Sequence, residues 1–323
     1  MVQGDFPAML DHAREGGADR SVCGGSAGGP ARYRSDMTSD QRTGTPAIEL
    51  IEIPVGEDTF TARACGPATG ELVVLLHGFP QTSWSWRHQL EALGAAGFRA
   101  VAPDQRGYSP DARPAEVGRY ASTALVSDVL AMADEIGGHT FHLVGHDWGA
   151  AVAWQVAGRH PQRVRTLTIL SVPHPVAFSE ALRDNSSDQA QRSSYFELFR
   201  SDEAADAFLS DNAALLRRVY EPLDPADVEP YVEVLSEPGA MQAALNWYRA
   251  ADITLVEGLG PITMPTLYLW STEDVALGRD GAEATAAHVE GPYQFEVLEG
   301  ISHWIAEQAP ERTNELLLEH LQR

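Results

Sequence analysis

The chain has 323 residues, with 46 Asp and Glu against 23 Lys and Arg and a formal charge of −23; it contains no lysine, so every one of those positive side chains is an arginine. A field of that sign repels phosphate, which excludes nucleic acid and anionic membrane as partners, and two cysteines, Cys23 and Cys65, make neither a disulfide framework nor a cysteine zinc site. With no run of 18 apolar residues and no secretion signal at the N-terminus, the chain reads as a cytoplasmic globular protein; at ~150 residues per domain its length corresponds to two domains or one large unit with an insertion.

Residues 1–45 form a compositional zone of their own, rich in Gly, Ala, Ser, Asp and Arg with no sustained apolar period. A segment that buries little apolar surface cannot offset its ordering entropy, so a disordered tail is expected, with the working protein starting near Met37 and residues 1–36 dispensable. From residue 48 the pattern changes. Residues 48–53 and 59–64 are expected as two strands of a hairpin around Gly56. The run Leu72-Val73-Val74-Leu75-Leu76 is apolar throughout, as suits a strand buried on both faces of a parallel sheet. Strands of the same type are expected at 98–102, 141–144, 164–170, 266–270 and 293–298, and helices at 84–96, 123–136, 150–159 and 304–321. Strands alternating with helices imply an α/β protein with a mostly parallel central sheet and helices on both faces. The alternation lapses between about Pro175 and Gly258. The expected organisation is therefore a tail at 1–45, a core at 46–175 and 258–323, and a helical cap inserted at 176–257.

Two segments place a residue in a glycine-flanked elbow. Gly24-Gly25-Ser26-Ala27-Gly28 fits the G-x-S-x-G pattern of serine hydrolases, but no strand precedes it and no helix follows, so it is a chance match. Gly145-His146-Asp147-Trp148-Gly149 does follow a strand and opens a helix, which holds its central residue at the carboxyl edge of the sheet. That residue is Asp147. Its bland alternative is an N-cap aspartate that merely starts the helix. His77-Gly78-Phe79-Pro80 leaves the third strand. In this arrangement the loop there supplies one oxyanion-hole amide and the residue after the nucleophile the other, which nominates the N–H groups of Phe79 and Trp148. Gly300-Ile301-Ser302-His303-Trp304 follows the last strand and brings His303 to the same edge. Ser271-Thr272-Glu273-Asp274 follows the strand before it, where a buried acid would orient His303. The competing position, Ser171-Val172-Pro173-His174, has no carboxylate, which favours Asp274. His77 and His146 lie beside the functional positions and are assigned structural roles. The order nucleophile, acid, base is that of the α/β-hydrolase fold.

On His77-Gly78-Phe79-Pro80, Asp104-Gln105-Arg106-Gly107-Tyr108, Gly145-His146-Asp147-Trp148-Gly149 and Gly300-Ile301-Ser302-His303-Trp304, the sequence resembles the epoxide hydrolase family of the α/β-hydrolase superfamily, from about residue 47 to the C-terminus. The resemblance implies an α/β-hydrolase fold with an inserted helical cap, no metal or organic cofactor, and a small-molecule epoxide and water as partners. It further implies two cap tyrosines that hold the epoxide oxygen. Asn246-Trp247-Tyr248-Arg249 is similar to the second tyrosine segment and nominates Tyr248; Ser194-Tyr195-Phe196-Glu197-Leu198-Phe199 is similar to the first and nominates Tyr195. Asp104 and Arg106 are taken as a structural turn.

The implied chemistry is opening of a small-to-medium neutral epoxide to a vicinal diol. Asp147 attacks a strained sp³ carbon, the phenols protonate the leaving oxygen, and water activated by His303, oriented by Asp274, hydrolyses the ester. Two other readings stand beside it. A haloalkane-type dehalogenase uses the same Asp–His–Asp set, with the Trp148 indole N–H for halide, but such enzymes often carry Asn where this chain has Phe79, and fluoroacetate dehalogenases usually carry Arg where it has Trp148. A non-catalytic ligand-binding protein on the same fold is the alternative of a different class. The stretch 176–257 holds 16 acids against 6 arginines, whereas the tail is nearly balanced at 6 and 5. A cap that acidic is expected to disfavour an anionic substrate.

Overall fold

The computed structural model describes residues 46–251 and 258–322. The tail, the Gly24 to Gly28 match, the start at Met37 and residues 252–257 at the end of the inserted stretch lie outside the described residues.

Eight strands make one sheet: β1 (Glu49–Val55), β2 (Asp58–Cys65), β3 (Leu72–Leu76), β4 (Arg99–Pro103), β5 (Phe141–His146), β6 (Val164–Leu170), β7 (Thr266–Glu273) and β8 (Tyr293–Ser302). Their order is β1-β2-β4-β3-β5-β6-β7-β8. β1 and β2 form an antiparallel hairpin, with Gly56 at φ 61° in its turn, and β2 pairs antiparallel with β4. All remaining pairs are parallel.

The helices in chain order are α1 (Arg87–Ala95), α2 (Ser122–Glu135) and α3 (Trp148–Arg159); then α4 (Pro175–Arg183), α5 (Gln189–Arg192), α6 (Tyr195–Phe199), α7 (Ala204–Val219), α8 (Pro225–Leu235) and α9 (Ala240–Ala250) between β6 and β7; and finally α10 (Arg279–Ala284), α11 (Ile305–Gln308) and α12 (Pro310–Leu321). The period-two alternation of a strand sorts its apolar side chains between two layers. Val73 and Leu75 pack with Leu90 and Leu93 of α1 and Leu316 and Leu317 of α12. Leu72, Val74 and Leu76 point the other way, into a core shared with Val126 and Val129 of α2 and Val152 and Val156 of α3. That second core runs on into the inserted helices, through Tyr195, Phe199, Phe208, Trp247 and Tyr248. Phe79 joins the two parts, its ring 5.3 Å from Phe199 and 5.2 Å from Tyr248.

Two expected helices differ from the observed ones. The run at 304–321 is not continuous, because Pro310 lacks an N–H and its ring clashes with the carbonyl four residues back; Ala309 leaves the helical region at φ −128°, ψ 52°. The helix expected from residue 84 begins with a separate 3₁₀ turn, Ser83–Trp86. Among the described residues, no helix is long and apolar enough to cross a membrane.

Candidate active site

Four loops leave the carboxyl ends of β3, β5, β7 and β8, and the sheet order brings them together. The sharpest is the one-residue turn from β5 to α3. Asp147 adopts φ 51°, ψ −125°, a region that side chains other than glycine rarely enter and that surrounding structure must hold. Glycine is required on either side. A Cβ on Gly145 would meet the Gly149 carbonyl, and one on Gly149 would run into the Leu76 and His77 carbonyls of the neighbouring strand end. Across the gap, a Cβ on Gly78 would occupy the space of the Asp147 carboxylate itself.

The Asp147 carboxylate is shared between two elements. Its Oδ1 accepts from the Phe79 backbone N–H at 2.7 Å, and its Oδ2 lies 3.6 Å from His303 Nε2. Trp148, the other amide nominated for the oxyanion hole, opens α3, where the first N–H groups have no acceptor within the helix. His303 follows β8 and turns Nδ1 to Asp274 Oδ2 at 2.8 Å. Asp274 follows β7, and its Oδ1 accepts the amides of Ala276 at 2.8 Å and Leu277 at 3.0 Å. All three side chains are buried. Burial by itself opposes protonation of His303, but the charge of Asp274 and the pairing with Asp147 outweigh it and raise the imidazole to about 10. Burial likewise pushes the Asp274 carboxyl up, while His303 and the two amides bring it below the ordinary carboxylate value.

His77 and His146 hold loops. The Gln105 amide donates to His77 Nε2 at 3.1 Å, which ties the Phe79 loop to the turn after β4. In that turn Asp104 accepts the Ser83 amide at 2.6 Å, and Arg106 pairs with Asp128 through Nε at 2.6 Å and a second nitrogen at 2.7 Å. His146 lies with Nε2 2.9 Å from the His303 carbonyl, and burial lowers its pKa to about 4. Because a carbonyl only accepts, Nε2 carries a hydrogen, and that bond fastens the residue before Asp147 to the backbone of His303. Beyond β6, at the competing acid position, Ser171 also donates to the His303 carbonyl, at 3.3 Å.

Tyr195 and Tyr248 reach the same site from α6 and α9. Trp247 anchors the second, its indole N–H donating to the Arg106 carbonyl at 2.8 Å. The Trp148 and Tyr248 rings meet edge to face at 5.0 Å. Both phenols are held well above their ordinary value. For Tyr195 the causes are burial and then the charge of Asp147; for Tyr248 they are burial, then Tyr195, then Asp147. Two cavities meet at this point. One of about 550 Å³ is lined by Asp147, His303, Tyr195, Tyr248, Arg192 and Glu221. The other, of about 450 Å³, lies on the Trp148 side of Asp147 against Val172, Phe178, Leu182, Phe196 and Leu277.

The acid excess of the inserted segment does not converge on the Asp147 carboxylate. Glu197, Asp202, Glu203, Asp206, Glu233 and Glu237 are exposed, and the first cavity sets Arg192 and Arg218 beside its acids. Sequence reasoning passed over Gly78, whose missing side chain leaves room for Asp147. It also passed over Gln189 and Arg192, which bond the backbone after Asp274. Gly78 sits inside a motif already in view. Gln189 and Arg192 carry no local signal, because their partners lie more than 80 residues away along the chain.

A mostly parallel sheet with a buried carboxylate on the turn after its central strand defines the α/β-hydrolase class. Residues 71–310 match the family described as the alpha/beta hydrolase fold. The AB hydrolase superfamily protein YfhM of Bacillus subtilis is 34% identical over 277 residues, covering 81% of this chain and 94% of that protein. Epoxide hydrolase 4 of Mus musculus is 32% identical over 270 residues, covering 80% and 75%. Among solved structures, epoxide hydrolase A from Mycobacterium thermoresistibile superposes with a TM-score of 0.74 at 30% identity, over 86% of this chain and 98% of that one. The chain belongs to the α/β-hydrolase fold family, in its epoxide hydrolase branch.

Proposed function

We propose that this protein hydrolyses epoxides to vicinal diols through a covalent ester on Asp147. The observation that carries the reading is the pair of buried phenols, Tyr195 and Tyr248, lining the same cavity as Asp147 and His303. A carboxylate can displace an epoxide oxygen from sp³ carbon without being deprotonated first, but the departing alkoxide needs an acid. A phenol that stays protonated far above neutral pH is a donor suited to that oxygen.

The two oxygens of Asp147 have different work. Oδ1 is engaged by the Phe79 amide, so Oδ2 attacks the ring carbon. The C–O bond of the epoxide breaks, a proton passes from a phenol to the leaving oxygen, and Oδ2 becomes the alkyl oxygen of the ester. Oδ1 is then the ester carbonyl. Water deprotonated by His303 attacks the ester's carbonyl carbon, and the charge that develops on Oδ1 meets the Phe79 and Trp148 amides. The bond from that carbon to Oδ2 then breaks, the diol leaves with Oδ2 and the proton held by His303, and the second proton of the water restores the phenol. Asp274 keeps the imidazole oriented and stabilises it when protonated. Alkylation also removes one of the two charges that hold His303 protonated, so the base becomes easier to deprotonate when the ester forms.

The paired cavities favour an epoxide with an apolar substituent in the Phe178–Leu182 arm, with the polar arm left for water and the diol. Halide release has weaker support. The Phe79 side chain is buried among Phe199, Phe208 and Tyr248 and offers no donor to a halide.

Single-turnover hydrolysis of styrene oxide in ¹⁸O water with enzyme in excess tests the reading. Solvent oxygen should enter the Asp147 carboxylate, and the first diol should carry none. Label in the first-turnover diol would refute the covalent route. Binding without turnover would favour a ligand-binding protein.

A further inference from the structure

We propose that Gln189, with Arg192 one turn on, is a positioning residue for the Asp274–His303 pair, holding the acid loop from the outer side. The inference rests on the roles of Asp274 and His303 set out above.

The loop Asp274-Val275-Ala276-Leu277-Gly278 wraps around its own first side chain. Asp274 Oδ1 accepts the amides of Ala276 and Leu277, so the carboxylate can aim Oδ2 at His303 only while that backbone stays in place. Neighbours along the chain bond parts of it, through the Ser271 carbonyl and the Trp270 indole, but the Asp274 and Ala276 carbonyls and the Gly278 amide are met from elsewhere in the chain. The loop runs along the rim of the 550 Å³ cavity, and Val275 in its middle is 38% exposed.

Its outward-facing polar groups are met by α5, a short helix of the inserted segment. Gln189 Nε2 donates to the Ala276 carbonyl at 2.8 Å, and its Oε1 accepts the Gly278 amide at 2.8 Å. The second amide hydrogen of Gln189 goes to Ser193 Oγ at 2.9 Å. Those three bonds settle the orientation, since a flipped amide would set its own N–H groups against the Gly278 N–H. Gln189 is fully buried. Gly278 lets it approach, because a Cβ there would come 2.8 Å from Asp188 Oδ1 and 3.3 Å from Gln189 Oε1. One turn later Arg192, braced by Asp188 at 2.8 Å, donates to the Asp274 carbonyl at 2.6 Å. The Leu277 carbonyl is taken by the Trp270 indole at 3.1 Å. The three bonds from α5 to this loop thus all land on backbone between Asp274 and Gly278. The inserted segment is therefore part of what aims the base as well as a wall of the cavity.

Gln189→Leu keeps the size and removes the bonds; Gln189→Glu keeps the acceptor for Gly278 and loses the donor; Arg192→Met loosens the second clamp from a half-buried position. Ester formation and ester decay are timed separately in single turnovers, and the His303 ring protons are titrated by NMR. Ester formation should stay within threefold of wild type. Ester decay should slow by about tenfold to a hundredfold in Gln189→Leu, less in Gln189→Glu and Arg192→Met, and the His303 titration should move to lower pH. Decay unchanged within twofold in Gln189→Leu, or both steps slowed equally with the His303 titration unmoved, would overturn the proposal. Should Gln189→Leu fail to fold, Arg192→Met and Gln189→Glu decide by the same two criteria. If the wild type forms no ester the mechanism itself has failed, and the His303 titration still decides whether α5 sets the pair.

Discussion

The backbone amide of Phe79 donates to Asp147 Oδ1 at 2.7 Å, across 68 residues of chain, and leaves Oδ2 facing His303. One contact thus distinguishes two chemically equivalent oxygens, one seated against an amide and the other, on the proposed mechanism, the attacking atom. It exists because Gly78 has no side chain.

Gly78→Ala should therefore be among the most damaging small changes near the site. The added methyl would overlap the Asp147 carboxylate, so either the nucleophile or the Phe79 amide must move. A fall in ester formation of about a hundredfold is expected, with a thermal midpoint lowered by only a few degrees. Stopped-flow alkylation with a fluorogenic epoxide and a calorimetric scan measure the two.

His303→Gln should alkylate and then stall. One equivalent of ester per chain is expected to accumulate on a peptide containing Asp147, detectable by mass spectrometry after acid quench. Turnover without trapped ester would remove His303 from its role as the water-activating base.

Replacing either phenol should act on the first step alone. Tyr195→Phe and Tyr248→Phe are each expected to slow ester formation, and the double variant to slow it by about 10²–10⁴. Ester decay should be unaffected, because on the proposed mechanism the phenols serve only the leaving oxygen and take no part in attack on the ester carbonyl. Equal slowing of both steps would mean that the rings matter for packing and not as acids.

The pairing of His303 should also appear in stability. Its pKa is about 10 in the folded chain and 6.5 in an unfolded one. A group that binds its proton more tightly when folded stabilises the fold fully below the unfolded value, and the contribution fades as pH rises through the folded value. The urea midpoint of the wild type minus that of His303→Gln should be largest below about pH 6.5 and shrink towards pH 10. A difference constant over that range would show that the imidazole is not held charged.

The eight strands could be anticipated because each is written locally, the first two as a hairpin around Gly56 and the others in mostly apolar runs such as Leu72 to Leu76. The elbow around Asp147 was visible for the same reason. Its two glycines, the strand before it and the helix after it all lie within about twenty residues. Asp274 came from comparing two loop positions, one of which has no carboxylate. The break before Pro310 should have been anticipated as well, since proline's effect on a helix is local.

Chain order and residue type, on their own, determined that an aspartate sits at a strand-to-helix turn and that an acid and a histidine follow the last two strands; the resemblance to the epoxide hydrolase family picked Tyr195 and Tyr248 out of the four tyrosines in the inserted stretch. The first two are statements about neighbours along the chain, where turn geometry and periodicity act. Which oxygen of Asp147 faces His303, that a glycine 69 residues before Asp147 makes its space, and that Gln189 and Arg192 hold the loop carrying Asp274 were decided by tertiary structure alone. The surface charge made the same point. A sum of −23 is a property of composition, but the face on which each carboxylate lies is set by packing, and packing left most acids of the inserted segment in solvent and put arginines beside those at the cavity.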